Sequence, residues 1–267
     1  RSCGKFYRAH PTPASLWPAG TGRQACRGTG RLPGRWSGDY VNITMMRHGS
    51  MDFSLQPERA FSAPAFDGSM VRGAFGHALK RLVCVMRRPD CTGCPLESVC
   101  LYVSVFETRA AAQDPARFAR PPHPFVLRSN LREHRGQPVD RISFRIRLFG
   151  GALDHAPFIA RAVEEAAAHG LGPDRTPFRL AALTTGNGDV WRPGQSYPMP
   201  APEPAPSALP ERVCLRFVTP TRLQQDGRPV GPATLDGPSL ARAIQRRVGL
   251  MAAFHGSGTG AIDHATL

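Results

Sequence analysis

The chain has 267 residues, with 34 Lys+Arg against 20 Asp+Glu and a formal net charge of +14. That length can bury one large core or two smaller ones. At 41% hydrophobic and 20% charged, a chain disordered throughout is excluded. No apolar run reaches the ~20 residues a bilayer span needs, and residues 1–19 lack the apolar stretch of a secretory signal. The basic excess is nearly all arginine, Lys5 and Lys80 being the only lysines. A GC-rich genome accounts for that ratio but not for the net sign, which favours a polyanionic partner such as nucleic acid.

Residues 1–50 carry eight bases and one acid, Asp39, and show no apolar period. They read as a disordered or extraneous basic leader, with the native start expected near Met45, Met46 or Met51. A basic RNA-binding arm is the functional alternative. Patterning begins with a short alternating strand at Asp52–Leu55. Ser69 is a plausible N-cap for a helix over residues 70–87, where Val71, Phe75, Ala78, Leu79, Leu82 and Met86 recur at helical spacing. A cluster of cysteines and then a strand at Phe125–Leu127 follow. Residues 142–149 alternate apolar with polar and predict a half-buried strand. A helix over 158–169 stops at Gly170, and strands are expected at 178–183 and 213–218. A second helix occupies 239–254. The order from residue 139 onward is β-α-β-β-α, one strand short of a closed ferredoxin-like sheet at Leu267.

Four of the seven cysteines fall in 17 residues, as Cys84-x6-Cys91-x2-Cys94-x5-Cys100. Such a set suits a tetrahedral structural zinc ion, with an iron–sulfur cluster as the alternative and no open position for a catalytic metal. Secreted disulfides do not explain an odd count clustered this way, and a reducing cytosol does.

On the first helix, the face opposite the apolar stripe holds Gly73, Gly76, His77 and Lys80, flanked by Arg72 and Arg81. Two helical glycines cost roughly 1 kcal/mol each, so another backbone is expected to come close there. A histidine beside cations can serve metal-free RNA cleavage, taking or giving a proton while the cations stabilise a phosphorane. A solvated face that happens to include one histidine is the other reading. Arg145 and Arg147 share one face of a strand, with Arg128 nearby in sequence, and either bind RNA or are simply solvated. His255, at a helix end, reads as a cap or packing residue.

Several separated stretches are familiar: Gly68–Cys84, Cys91-Thr-Gly-Cys-Pro-Leu96, Phe106-Glu-Thr108, His123–Leu127, Leu215–Leu223 and Leu250–Gly256. Over roughly residues 51–258 the chain resembles the CRISPR-associated endoribonucleases of the RAMP superfamily, in the branch with a four-cysteine cluster. The resemblance implies an α+β fold of tandem ferredoxin-like (RAMP/RRM-like) domains. Their expected ranges are 51–138, with the cysteines inserted at 84–100, and an incomplete second domain at 139–267. It implies metal-independent cleavage of precursor CRISPR RNA within repeats, leaving 2′,3′-cyclic phosphate ends, in the cytoplasm of a prokaryote as part of antiviral defence. His77 becomes the expected general acid/base, with Lys80 and Arg72 at the phosphate. Arg81, Arg128, Arg145, Arg147, Arg246 and Arg247 are expected RNA contacts, and a CRISPR effector complex is a possible partner. The family continues into a glycine-rich loop and closing strand, which are not found before Leu267. The rival readings are a non-catalytic repeat-RNA-binding subunit and a zinc or iron–sulfur DNA-binding module.

Overall fold

The computed structural model describes residues 46–64, 67–108, 121–129, 134, 136–204, 217, 221–225, 228–231 and 234–256. They fall into two units: residues 46–204 with the end of the last helix from 248, and the described residues between 217 and 247. The first is an α+β unit built on a five-stranded antiparallel sheet. Its elements are β1 (His48–Pro57), α1 (Asp67–Val83), β2 (Phe125–Ser129), β3 (Ile142–Phe149), α2 (Ala156–His169), β4 (Phe178–Thr185) and β5 (Val190–Trp191). The strands lie in the order β2-β3-β1-β4-β5. Each helix therefore links two strands that have a third strand between them.

The expected domain boundary between residues 138 and 139 falls inside this sheet. β1, from before it, is hydrogen-bonded antiparallel to both β3 and β4, from after it. The strand needed to complete β3-α2-β4 is supplied by the N-terminal half of the chain. A strand edge carries unpaired N–H and C=O groups wherever it runs, and nothing in local periodicity says which segment will satisfy them. The leader also ends earlier than expected. β1 begins at His48, and Ser50 is 1% exposed, accepting the Gly186 N–H on its carbonyl. Residues 1–45 lie outside the described residues.

One face of the sheet is apolar and packs beneath the two helices, which also touch each other. Ile142, Phe144, Ile146 and Leu148 are buried and alternate with half-buried polar neighbours, as their period requires. Phe144 stacks at 5.3 Å on Phe53, its register partner across β1. In β4 the apolar positions Leu180 and Leu183 are an odd number apart yet both buried. The register shifts between Ser54 and Leu55, whose partners are Ala182 and Leu180, so Ala181 is an extra residue that restores the buried phase. Helix α2 buries Ala156, Ala160, Ala162, Ala166 and Ala167, small side chains that let it sit low on its neighbours.

α1 spans residues 67–83, not 70–87. It starts at Asp67, whose Oδ1 accepts the Gly68 N–H, and ends at Val83. Leu82, counted in the apolar stripe, is 39% exposed, and the buried stripe is Val71, Phe75, Ala78 and Leu79. α2 ends at Gly170, at φ 99°, as its sequence predicts. Beyond it, Trp191 stacks on Tyr197 at 5.4 Å, and the Tyr197 hydroxyl donates to Glu164 of α2. Burial, followed by that hydrogen bond, pushes the Tyr197 phenol up to about 12.

In the second unit a short hairpin pairs β6 (Gln224–Gln225) with β7 (Arg228–Pro229). α3 (Gly237–His255) is capped by Asp236, which accepts the Ser239 N–H at 2.8 Å; hydrogen bonds first with the Ser239 side chain and then with its N–H hold the Asp236 carboxyl below its ordinary range. The expected strand at 213–218 lies outside the described residues except for Phe217. The end of α3 belongs to the first unit. There the His255 Nε2–H donates to Pro122 O at 2.7 Å, so His255 packs as expected. Gly150, at φ 57°, touches this turn so closely that a Cβ would lie 1.9 Å from His255 O.

Candidate nucleic-acid interface

The outer flank of α1 carries Arg72, Gly76 and Lys80 at successive intervals of four, hence in one row. A π-helical turn at Val103–Glu107, closed by Thr108 in the left-handed region, lays two aromatic rings against that row. Tyr102 and Phe106 stack with centroids 5.6 Å apart and planes 8° from parallel. The Arg72 guanidinium lies over Phe106 at 5.3 Å and over Phe125 of β2 at 4.9 Å. The Lys80 ammonium lies 5.2 Å from the Tyr102 centroid and donates to Pro89 O at 2.7 Å. Cations and rings thus alternate along the helix flank, each contact stabilised by the ring quadrupole.

Gly76 makes the arrangement possible. A Cβ there would stand 2.8 Å from Phe106 Cε1, whereas one at Gly73 would meet nothing within 4 Å among the described residues. Of the two backbones expected to come close, sheet or nucleic acid, no sheet strand approaches among the described residues; an aromatic ring meets Gly76 instead.

Arg72 and Lys80 share the aromatic row, and His77 and Arg81 are exposed on the adjoining faces of the same helix. Burial against the rings lowers the Arg72 pKa below its ordinary value. No carboxylate or hydrogen-bond acceptor reaches its guanidinium among the described residues. For Tyr102, burial and then the Glu107 charge raise the phenol above its ordinary value, with smaller contributions from Cys91 and Cys100.

Arg128, Arg145 and Arg147 lie elsewhere, on the sheet face turned away from the helices. Arg128 and Arg145 are register partners across β2 and β3, a juxtaposition of like charge that is unfavourable by itself. Asp52 on β1 answers it. Its two carboxylate oxygens accept the Arg145 Nε–H and Nη2–H at 2.7 Å each, and that hydrogen bond raises the Arg145 pKa. Arg147 donates to Glu203 at 2.8 Å, and Glu203 also accepts the Ser50 hydroxyl. A Cβ on Gly186 would lie 2.8 Å from Glu203 Oε1, so a side chain there would make the carboxylate shift. The two arginines expected to be open to RNA are thus each neutralised by an acid. Arg246 and Arg247 are exposed on the part of α3 that belongs to the second unit.

The cysteine segment forms turns. Cys94 N–H donates to Cys91 O at 3.2 Å, and Glu97 N–H to Cys94 O at 3.0 Å. All four thiols are free, with Cys91 buried and Cys84, Cys94 and Cys100 half-buried. Among the described residues, no three His, Cys, Asp or Glu side chains stand together as a set able to hold a metal. No helix of the described residues is long and apolar enough to cross a membrane.

Sequence reasoning missed Tyr102, Phe106, Asp52 and Glu203. The Tyr102-x3-Phe106 spacing was the available signal for the aromatic pair, since it matches the Arg72-x3-Gly76-x3-Lys80 spacing. No local signal links Asp52 to Arg145, 93 residues away, or Glu203 to Arg147.

The family model AF_1859_N, described as an N-terminal domain, matches residues 46–203, which are the residues of the sheet unit up to its last turn. No curated protein and no solved structure gives a match.

Proposed function

The chain belongs to the AF_1859_N family over residues 46–203, the unit that carries α1, and from its cationic row we propose that this unit binds and cleaves RNA. The reaction is cleavage of precursor CRISPR RNA within repeats, in keeping with the motifs at Gly68–Cys84 and His123–Leu127. The observation that carries it is the α1 surface: an exposed His77 beside Lys80, with the Arg72 guanidinium lacking an acid partner among the described residues. The fold reading is ferredoxin-like, supported by the β2-β3-β1-β4 order and its two crossing helices. The setting is the cytoplasm of a prokaryote, with handover of product to a CRISPR effector complex.

In the proposed reaction a ribose 2′-oxygen attacks the adjacent phosphorus and the P–O5′ bond breaks. The products are a 2′,3′-cyclic phosphate and a 5′-hydroxyl. His77 moves one of the two protons, from the 2′-hydroxyl or to the departing 5′-oxygen. Lys80 and Arg72 meet the charge that grows on the non-bridging oxygens, where fixed cations matter most. Arg145 and Arg147 take a smaller part than their sequence suggests, because each is already paired with an acid, Asp52 or Glu203.

The full chain incubated with its cognate repeat RNA in EDTA should give one cut per repeat with a cyclic-phosphate end. Tight, salt-sensitive binding without cleavage would replace this reading with that of a non-catalytic repeat-binding subunit. A preference for duplex DNA would replace it with a DNA-binding module.

The cysteine segment is assigned a structural zinc ion held by Cys84, Cys91, Cys94 and Cys100. The Cys91–Cys94 turn and the free thiols favour this, although the four sulfurs do not form a set in the arrangement described above. No step of the reaction runs through the metal. Metal analysis of purified protein should give one zinc per chain, lost in Cys91→Ser. Iron with visible absorbance would assign a cluster instead.

A further inference from the structure

We infer that Tyr102 and Phe106, with Arg72, form a stacking site for one unpaired nucleotide of the RNA, the base lying on the rings and its phosphate on the guanidinium. This rests on the RNA reading above and adds to its Arg72 and Lys80 the rings of Tyr102 and Phe106, which that reading does not use. Three observations lead to it. Tyr102 and Phe106 are parallel to within 8° and only half-buried, on a turn that holds them to a helix. A pre-stacked pair of this kind continues naturally into a third flat ring, and a base of any identity has the π-face to supply it.

Arg72 is the second observation. Its five N–H donors are partly desolvated over Phe106 and Phe125 and meet no acceptor among the described residues. Arg72 is half-buried, so the donors that no protein acceptor meets are open to solvent and to an incoming anion. Here the planar fork is held by rings on its face, which leaves its edge for an anionic oxygen. The third observation is Lys80, whose ammonium covers Tyr102 and has no acid partner among the described residues. Its flexible stem lets it give way to a base and move to the next phosphate.

The ligand must be single-stranded at this point, because a base within a duplex has no free face to offer. Gly76 fixes the geometry. Any side chain there would push Phe106 off the helix and separate the two cations from their rings.

The test uses a short single-stranded RNA carrying one 2-aminopurine, read by fluorescence quenching and by affinity and not by cleavage. The wild-type chain should quench the probe. Tyr102→Leu should abolish most of that quenching and weaken binding by about 10-fold, while Tyr102→Phe keeps both. Arg72→Gln should lower the slope of log affinity against log salt by about 1 and preserve the quenching. Unfolding by urea would confirm that each variant is folded. Equal affinity and quenching in wild type and Tyr102→Leu would overturn this inference alone. Failure of the wild-type chain to bind the probe would overturn the RNA reading with it.

Discussion

Replacing His77 by alanine should lower the rate of repeat-RNA cleavage by ~10²–10⁴, the usual contribution of one positioned general acid or base. The substitution suits the question because His77 is exposed on α1 and makes no hydrogen bond or ion pair among the described residues. Exposed positions of that kind rarely shift stability by more than about 0.5 kcal/mol. A lost rate could then not be attributed to a lost fold. Single-turnover cleavage with saturating protein would separate chemistry from binding. A rate within about threefold of wild type would return His77 to a solvated helix face and move the proton transfer to another residue.

Phe75→Ala should destabilise the chain by about 3–5 kcal/mol, the range for deleting a large aromatic side chain from a packed core. Phe75 is 1% exposed and meets Phe106 at 5.1 Å and Phe125 at 5.7 Å, both edge-on. It joins the apolar stripe of α1 to the rings beneath Arg72. Its removal should therefore lower the urea midpoint and also loosen the aromatic row, so that RNA affinity falls even where the protein is still folded. Phe75→Leu should lose less of both. A loss under about 1 kcal/mol for Phe75→Ala would contradict the core as described.

The two predictions probe different kinds of legibility. His77 could be found from the sequence, because helical spacing alone places it opposite Phe75 and Leu79. Phe75 itself was legible as a core residue for the same reason. The aromatic row was not. Tyr102 and Phe106 are separated from α1 by the whole cysteine segment, and only the packing of the π-helical turn against Gly76 joins them. Arg145 and Arg147 show the opposite case. Their alternation placed them correctly on one face of β3, but the acids that pair with them come from β1 and from Glu203 and were not legible.

The sequence by itself determined which residues alternate or recur, and hence the buried faces of β3, α1 and α2, the stop at Gly170 and the +14 charge. Those are local properties, because side-chain period is set by backbone geometry within a few residues. Tertiary structure decided that β1 enters between β3 and β4, so that the sheet spans the expected domain boundary. It also decided that Asp52 and Glu203 pair with two arginines, and that Arg72 and Lys80 are drawn onto aromatic rings. Each of these depends on partners far apart in the chain. Which partner meets which is fixed by how well the whole core and all its backbone hydrogen bonds are satisfied together.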